Sequence, residues 1–197
     1  MRLLLLRHTK VAASWRARCY GQSEAPLGAE GRATAHRLAA LIPAADALHA
    51  SPSRRAGLLA GLIACRHALP IQWDRRLLER DFGTWEGQPW DAIWQAEGSA
   101  MDGMIDAPDH FRPGGGETTD ELAARAFAWL ATLPSGASVI AISHGGPIAA
   151  LAGRLLGLPV RDWFAWLPKE GSGLLIERPA AGPARVTRWR ASPAPAP

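Results

Sequence analysis

Two histidines in this chain each follow a short apolar run. Leu3-Leu4-Leu5-Leu6 leads into Arg7-His8, and Val139-Ile140-Ala141-Ile142 leads into Ser143-His144. A neutral histidine held in one tautomer is a nucleophile toward phosphorus when neighbouring cations hold the phosphoryl oxygens in line for attack. Arg7 adjoins His8 and meets that requirement. Arg55, just after Ser51-Pro52 and at the start of a helical stretch, offers a second guanidinium, and helix N-termini themselves favour phosphate. His144 is followed by Gly145-Gly146, where backbone can come close to a ligand, so this step adds a further donor and completes an anion cradle. Each feature alone is ordinary, since a strand-end histidine is commonly structural and an arginine near a helix start commonly just faces water. Their conjunction points to phosphoryl chemistry.

The elements that must position these groups are legible in the same pattern. Apolar runs of about four to six residues followed by helix-forming sequence are central strands of a parallel sheet, whose ligands bind at the carboxyl ends. Both histidines are therefore expected at one crevice. A helix is expected over about Ala29 to Leu41, a buried strand at Ala47-Leu48-His49-Ala50, and a helix from Arg54 to His67. Ile71-Gln72-Trp73 reads as a short strand and Leu77 to Phe82 as an extended segment closed by Gly83. A tryptophan-bearing helix is expected from Gly87 to Glu97, then a loop to Gly116 with a sharp turn at Pro113-Gly114-Gly115-Gly116. Thr118-Thr119-Asp120-Glu121 is a capping box for a helix running to about Leu133. A helix from Gly146 to Leu156 follows the last central strand, and Ser172 to Arg178 with Arg185 to Arg190 reads as an edge hairpin. One domain spans 1–191, and 192–197 is expected to be a disordered Pro/Ala tail.

Composition narrows the class. The 197 residues, 48% hydrophobic and 20% charged, suffice for one domain with a full core. Leu3 to Leu6 is too short for a signal or a membrane span and is stopped by Arg7-His8, so no membrane association and a cytoplasmic location are expected. Cys19 and Cys65 lie in no CxxC or metal-spaced cluster, which predicts free thiols and no metal site. The net charge of +4 rests almost wholly on arginine, the lysines being Lys10 and Lys169. Those arginines are dispersed among acids and accompany no nucleic-acid motif, so the expected partner is a small phosphorylated metabolite rather than a nucleic acid.

Five segments carry a family resemblance: Leu5-Leu6-Arg7-His8, Ser51-Pro52-Ser53-Arg54-Arg55-Ala56, Leu78-Glu79 through Gly83-Thr84-Trp85-Glu86-Gly87, Pro113 to Glu117, and Ser143-His144-Gly145-Gly146. In order and context they resemble the histidine phosphatase superfamily over roughly residues 2 to 178, nearly the whole chain. The resemblance implies a three-layer α/β/α sandwich with a mostly parallel sheet, the phosphoglycerate mutase-like fold. It implies a phosphomonoesterase in which His8 is phosphorylated, Arg7, Arg55 and His144 bind the phosphoryl oxygens, and an acid protonates the leaving oxygen, with no cofactor and no metal. Glu79 matches the acid's position, with Asp81 and Glu86 as nearby alternatives, and Glu117 reads as a helix N-terminal acid or structural partner.

Many members continue Arg-His-Gly-Glu-Thr, whereas here Thr9-Lys10-Val11 follows His8, and Thr9 offers a hydroxyl to phosphate. Thr9 with Cys19-Tyr20-Gly21-Gln22-Ser23 and Pro26-Leu27 is similar to the α-ribazole phosphatase-like branch, which implies that Gln22, Ser23 and Gly145 contact substrate. Among Trp85, Trp90 and Trp94, some offer to line a mouth where an aromatic base stacks, while the spacing of Trp90 to Trp94 is equally that of helix-face packing. The alternative activities are a broad-specificity phosphatase or a phosphoglycerate mutase, the latter disfavoured because only Ala92 to Arg112 is available to cap the site. A non-catalytic phosphate-ligand-binding protein of the same fold is the alternative from another class.

Overall fold

The computed structural model describes residues 1–191; the segment 192–197, expected to be a tail, lies outside the described residues. Among the described residues the strands β1 (Arg2–Arg7), β2 (Ala47–Ala50), β3 (Ile71–Trp73), β4 (Ser138–Ser143), β5 (Gly173–Glu177) and β6 (Arg185–Trp189) form one sheet in the order β3-β2-β4-β1-β5-β6. The first four are mutually parallel; β5 runs antiparallel to β1 and carries β6 on its outer side.

Both faces of β1 are covered, which is why its sequence is a continuous apolar run rather than an alternation. Leu4 and Leu6 pack with Ile140 and Ile142 under the helices α1 (Ala29–Leu41) and α2 (Arg54–His67). Leu3 and Leu5 pack with Val139 and Ala141 on the opposite face, where Trp129 of α5 (Thr119–Leu130) and Ile148 and Leu151 of α6 (Gly145–Leu155) cover them. This is the expected three-layer α/β/α sandwich. No helix among the described residues is long and apolar enough to cross a membrane.

The capping box forms as expected: Thr118 accepts from the Glu121 N–H at 3.1 Å and Glu121 accepts from the Thr118 N–H at 3.1 Å. Other expected boundaries move. The tryptophan-bearing helix α3 runs Trp90–Glu97, not from Gly87. Gly87 is in the left-handed region at φ +82, and Pro89 disfavours helical geometry at the residue before it. Helix α5 ends at Leu130, short of Leu133, with Pro134 opposing further helix. The region expected as a plain loop contains a 3-10 turn over Gly98–Asp102 and the short α4 (Gly103–Asp106). The segment expected to extend from Leu77 instead begins with a 3-10 turn at Arg75–Leu77.

Register places the chemistry. Arg7 pairs with Ser143, so the next residues of β1 and β4, His8 and His144, leave the sheet side by side, and the His8 N–H donates to the Ser143 carbonyl at 3.0 Å. Ala50 of β2 pairs with Ile142, which brings Ser51 to the same carboxyl edge.

Candidate active site

The rings of His8 and His144 meet edge to face with centroids 5.1 Å apart, and both side chains are fully buried. Nδ1 of His8 lies 2.8 Å from the Thr9 carbonyl oxygen. A carbonyl only accepts, so Nδ1 carries the proton and Nε2 carries the lone pair. Nε2 has no hydrogen-bond partner among the described residues. Burial foremost, then the Arg55 and Arg7 charges, lowers the His8 pKa to about 3, despite the opposing bond to Thr9. The imidazole is therefore neutral and in the tautomer a phosphorus nucleophile needs.

Around that nitrogen the sheet edge assembles donors. Arg7 donates through Nη1 to the Pro168 carbonyl at 2.9 Å and faces Glu170 at 3.9 Å, and its Nε is buried without a partner. Arg55, in the first turn of α2, is 1% exposed; it donates to the Ser23 carbonyl at 2.7 Å and to the Gly21 carbonyl, leaving Nε unpartnered. His144 has Nε2 at 2.8 Å from the Ser51 hydroxyl and 3.3 Å from that of Ser53, while Nδ1 is unpartnered. Burial and the Arg55 charge hold the His144 pKa well below its ordinary value. When Ser51 donates to Nε2, Nδ1 of this neutral ring is an N–H donor to a phosphoryl oxygen. The Thr9 hydroxyl is likewise buried without a partner.

Glu79 lies in irregular chain after the 3-10 turn, with its carboxyl at the start of α6. Oε1 accepts from the Arg80 N–H at 3.0 Å and from the Gly146 N–H at 3.0 Å; Oε2 makes one longer contact, 3.4 Å, to Gly146. A Cβ on residue 146 would lie 2.4 Å from Oε1, so only glycine lets the carboxyl seat there. With Oε1 occupied by donors, Oε2 is the oxygen free to carry and pass a proton. Gly145 instead adjoins the Arg7 guanidinium and Leu167, against which its Cβ would fall at 3.3 and 3.0 Å.

The loop over residues 20–23 is tied down by Glu86. Glu86 is not a free acid: it accepts from the Gln22 and Ser23 N–H groups at 2.8 and 2.7 Å and from the Ser23 hydroxyl at 2.6 Å. Gly21, at φ +37, passes so close to this carboxylate that a Cβ would overlap it. Gln22 donates its side-chain amide to the Glu79 carbonyl at 3.1 Å. Ser23 and Gln22, expected to touch substrate, thus also bond Glu86 and the Glu79 backbone, which holds this loop beside the acid. Asp81 caps its own turn, accepting from the Gly83 N–H at 2.8 Å, and Glu117 pairs with Arg125 at 2.5 Å.

Tyr20, which the sequence presented only as part of a motif, lies between these groups. Its ring sits edge-on 6.4 Å from His8, and the Arg55 guanidinium lies 5.2 Å from its centroid. Burial pushes its phenol above the ordinary value, so it keeps its proton. A cavity of about 390 Å³ reaches the site past Arg7, Tyr20, Glu79 and Gly146 and is walled by Phe82, Trp90, Trp163, Phe164 and Leu167, with Arg16, Arg18 and Arg80 adding positive charge. The three tryptophans considered above separate: Trp85 is buried beside Cys19 and Ile93, Trp90 lines the cavity, and Trp94 is exposed. His8 and His144 have no exposed surface, and Tyr20 both lines the cavity and stands beside His8.

The model of the histidine phosphatase superfamily, branch 1, matches residues 3–191. This chain belongs to that superfamily. A relative named probable phosphoglycerate mutase GpmB, from Salmonella paratyphi C, is 30% identical over 164 residues, covering 81% of this chain and 76% of its own. Among solved structures, the α-ribazole phosphatase of Shigella flexneri superposes with a TM-score of 0.83 at 25% identity over 96% of each chain. A mycobacterial glucosyl-3-phosphoglycerate phosphatase gives 0.81 at 30% identity over 98% of this chain and 99% of its own.

Two expectations follow for this superfamily member. Ser51→Ala removes the closer of the two hydroxyls that fix the His144 ring, and lowers kcat by roughly tenfold, equivalent to about 1.4 kcal/mol; steady-state kinetics with a folded-state check by circular dichroism reads this. The second concerns acid. His8 binds a proton in the unfolded chain near its ordinary value of 6.5 but in the folded chain only near 3. Below 6.5 the unfolded state therefore binds more protons, and stability is lost as pH falls from 6.5 toward 3. Thermal unfolding across that window shows a declining Tm, with a shallower decline in His8→Asn.

Proposed function

We propose that this protein is a phosphomonoesterase that works through a phosphohistidine at Nε2 of His8. The observation that carries the reading is that the buried side-chain polar atoms without partners among the described residues belong to Arg7, His8, Thr9, Arg55 and His144. Unpartnered buried donors are costly, and a tetrahedral dianion bound beside His8 would give them acceptors.

Nε2 attacks phosphorus and forms the N–P bond as the ester P–O bond breaks. Glu79 gives its Oε2 proton to the departing alkoxide, which leaves as the alcohol. The carboxylate then takes a proton from water, whose oxygen attacks the phosphohistidine; the N–P bond breaks, phosphate leaves and Glu79 is protonated again. Arg7, Arg55 and His144 hold the phosphoryl oxygens throughout.

For the substrate we propose α-ribazole 5′-phosphate, in the late nucleotide-loop steps of cobalamin synthesis. The Cys19-Tyr20-Gly21-Gln22-Ser23 segment, the likeness to the Shigella flexneri α-ribazole phosphatase and a cavity wall of aromatic faces suited to a flat heterocycle all support it. The free Cys19 and Cys65 are consistent with a cytoplasmic setting. A second reading, phosphoglycerate as substrate, is favoured by the GpmB likeness and by the extra arginines of the cavity, which suit a carboxylate.

Phosphate release from α-ribazole 5′-phosphate, 3-phosphoglycerate and 4-nitrophenyl phosphate, with EDTA present, separates the readings. A preference for the first in kcat/KM supports the cobalamin step. Preference for phosphoglycerate, or equal slow hydrolysis of all three, removes that substrate and keeps the chemistry.

A further inference from the structure

We infer that Arg125 is a positioning residue for the general acid: it fixes the backbone from which Glu79 projects, and Glu117 holds it in place to do so. The inference rests on the reading of Glu79 as the proton donor.

Arg125 lies on α5, outside the phosphoryl site, and touches neither His8 nor the Glu79 carboxyl group. Its guanidinium donates through Nη1 to the carbonyls of Arg76 and Leu78, both at 2.8 Å, and through Nη2 to the carbonyl of Glu79 at 2.9 Å. Nε and Nη2 also donate to the two carboxylate oxygens of Glu117 at 2.5 and 2.9 Å. All five N–H donors of an arginine are thereby used. The segment they hold runs from the 3-10 turn at Arg75–Leu77 into irregular chain that reaches the next 3-10 turn at Gly83–Trp85, and Leu78 and Glu79 have no ladder or helix of their own.

Other contacts lace the same two segments. The Glu117 N–H donates to the Asp81 carbonyl at 2.9 Å, and Arg80 donates to the Thr119 hydroxyl at 2.9 Å. Gln22 supplies the second donor on the Glu79 carbonyl. Arg125 gathers three carbonyls from four consecutive residues at one point, and a lysine, with three donors on a single nitrogen, cannot reproduce that fork. Proton transfer is sensitive to placement at the scale of an ångström, so loosening this backbone degrades the acid step before it affects phosphate binding.

The test compares a poor and a good leaving group through kcat/KM, which reports phosphorylation of the enzyme. Glycerol 2-phosphate needs a proton on its departing oxygen; 4-nitrophenyl phosphate does not. For Arg125→Lys the expected loss is about thirtyfold on the alkyl ester and less than about threefold on the aryl ester. In the double variant with Glu79→Gln, Arg125→Lys adds little further loss on the alkyl ester, because both act on one step. Glu117→Gln keeps the arginine but weakens its anchor, shifts the ratio in the same direction, and serves if Arg125→Lys fails to fold. Equal losses on both esters in the Arg125 and Glu117 variants, beside a leaving-group-dependent loss in Glu79→Gln, overturn the inference. If Glu79→Gln shows no leaving-group dependence, the acid role itself falls and the inference with it.

Discussion

Replacing His8 with alanine lowers kcat/KM for every phosphomonoester by about 10⁴-fold or more, because it removes the nitrogen on which the covalent intermediate forms. The neighbouring His144 does not substitute: its Nε2 is held by Ser51 and Ser53, and its Nδ1 serves the oxygens rather than phosphorus. Binding survives, since Arg7 and Arg55 keep their backbone anchors and His144 keeps the Ser51 and Ser53 hydroxyls. Inorganic phosphate therefore still raises the Tm of the variant, which separates a lost nucleophile from a lost fold. Residual turnover within about tenfold of the parent contradicts the assignment of His8.

Glu79→Gln is the second large effect. The amide is isosteric, and its oxygen can still accept from the Arg80 and Gly146 N–H groups, so the local structure stays in place while the transferable proton is lost. General acid catalysis contributes about 10² to 10⁴ in rate, and the loss falls in that range for an alkyl phosphate but shrinks toward unity in kcat/KM for 4-nitrophenyl phosphate. The same variant slows hydrolysis of the phosphoenzyme, because Glu79 is also the base for water. Phosphoenzyme accordingly accumulates with the aryl ester, and a pre-steady-state burst of nitrophenol measures it.

How far the sequence could be read depended on whether a contact is local or long-range. Leu3 to Leu6 and Val139 to Ile142 are buried on both faces, so their apolar runs announced central strands, and the parallel register then delivered His8 and His144 together. Arg55 was legible for a similar reason, since Ser51-Pro52 ends β2 and sets a helix start at the same edge. The capping box at Thr118 needed only four consecutive residues.

Contacts between distant segments left no such periodic trace. Glu86 bonds Gln22 and Ser23 across more than sixty residues of chain, a tie that neither segment announces by itself. Arg125 and Tyr20 were missed likewise: one looks like an ordinary helix arginine, the other like a loop residue, until the fold brings them to Glu79 and His8. Helix α3 starts at Trp90 rather than Gly87, with Pro89 as its N-cap, and the 98–112 region combines a 3-10 turn with a single helical turn that no long period reveals.

The most direct measurement is acid-labile, base-stable phosphate on the protein after rapid mixing with substrate and quenching in alkali, located by peptide mass spectrometry. The account predicts one phosphoryl group per chain, on His8, formed faster than steady-state turnover and absent from His8→Ala. Turnover with no phosphoenzyme, or phosphate on another residue, contradicts it, and phosphate binding with neither turnover nor phosphoenzyme would make the chain a ligand-binding member of its superfamily.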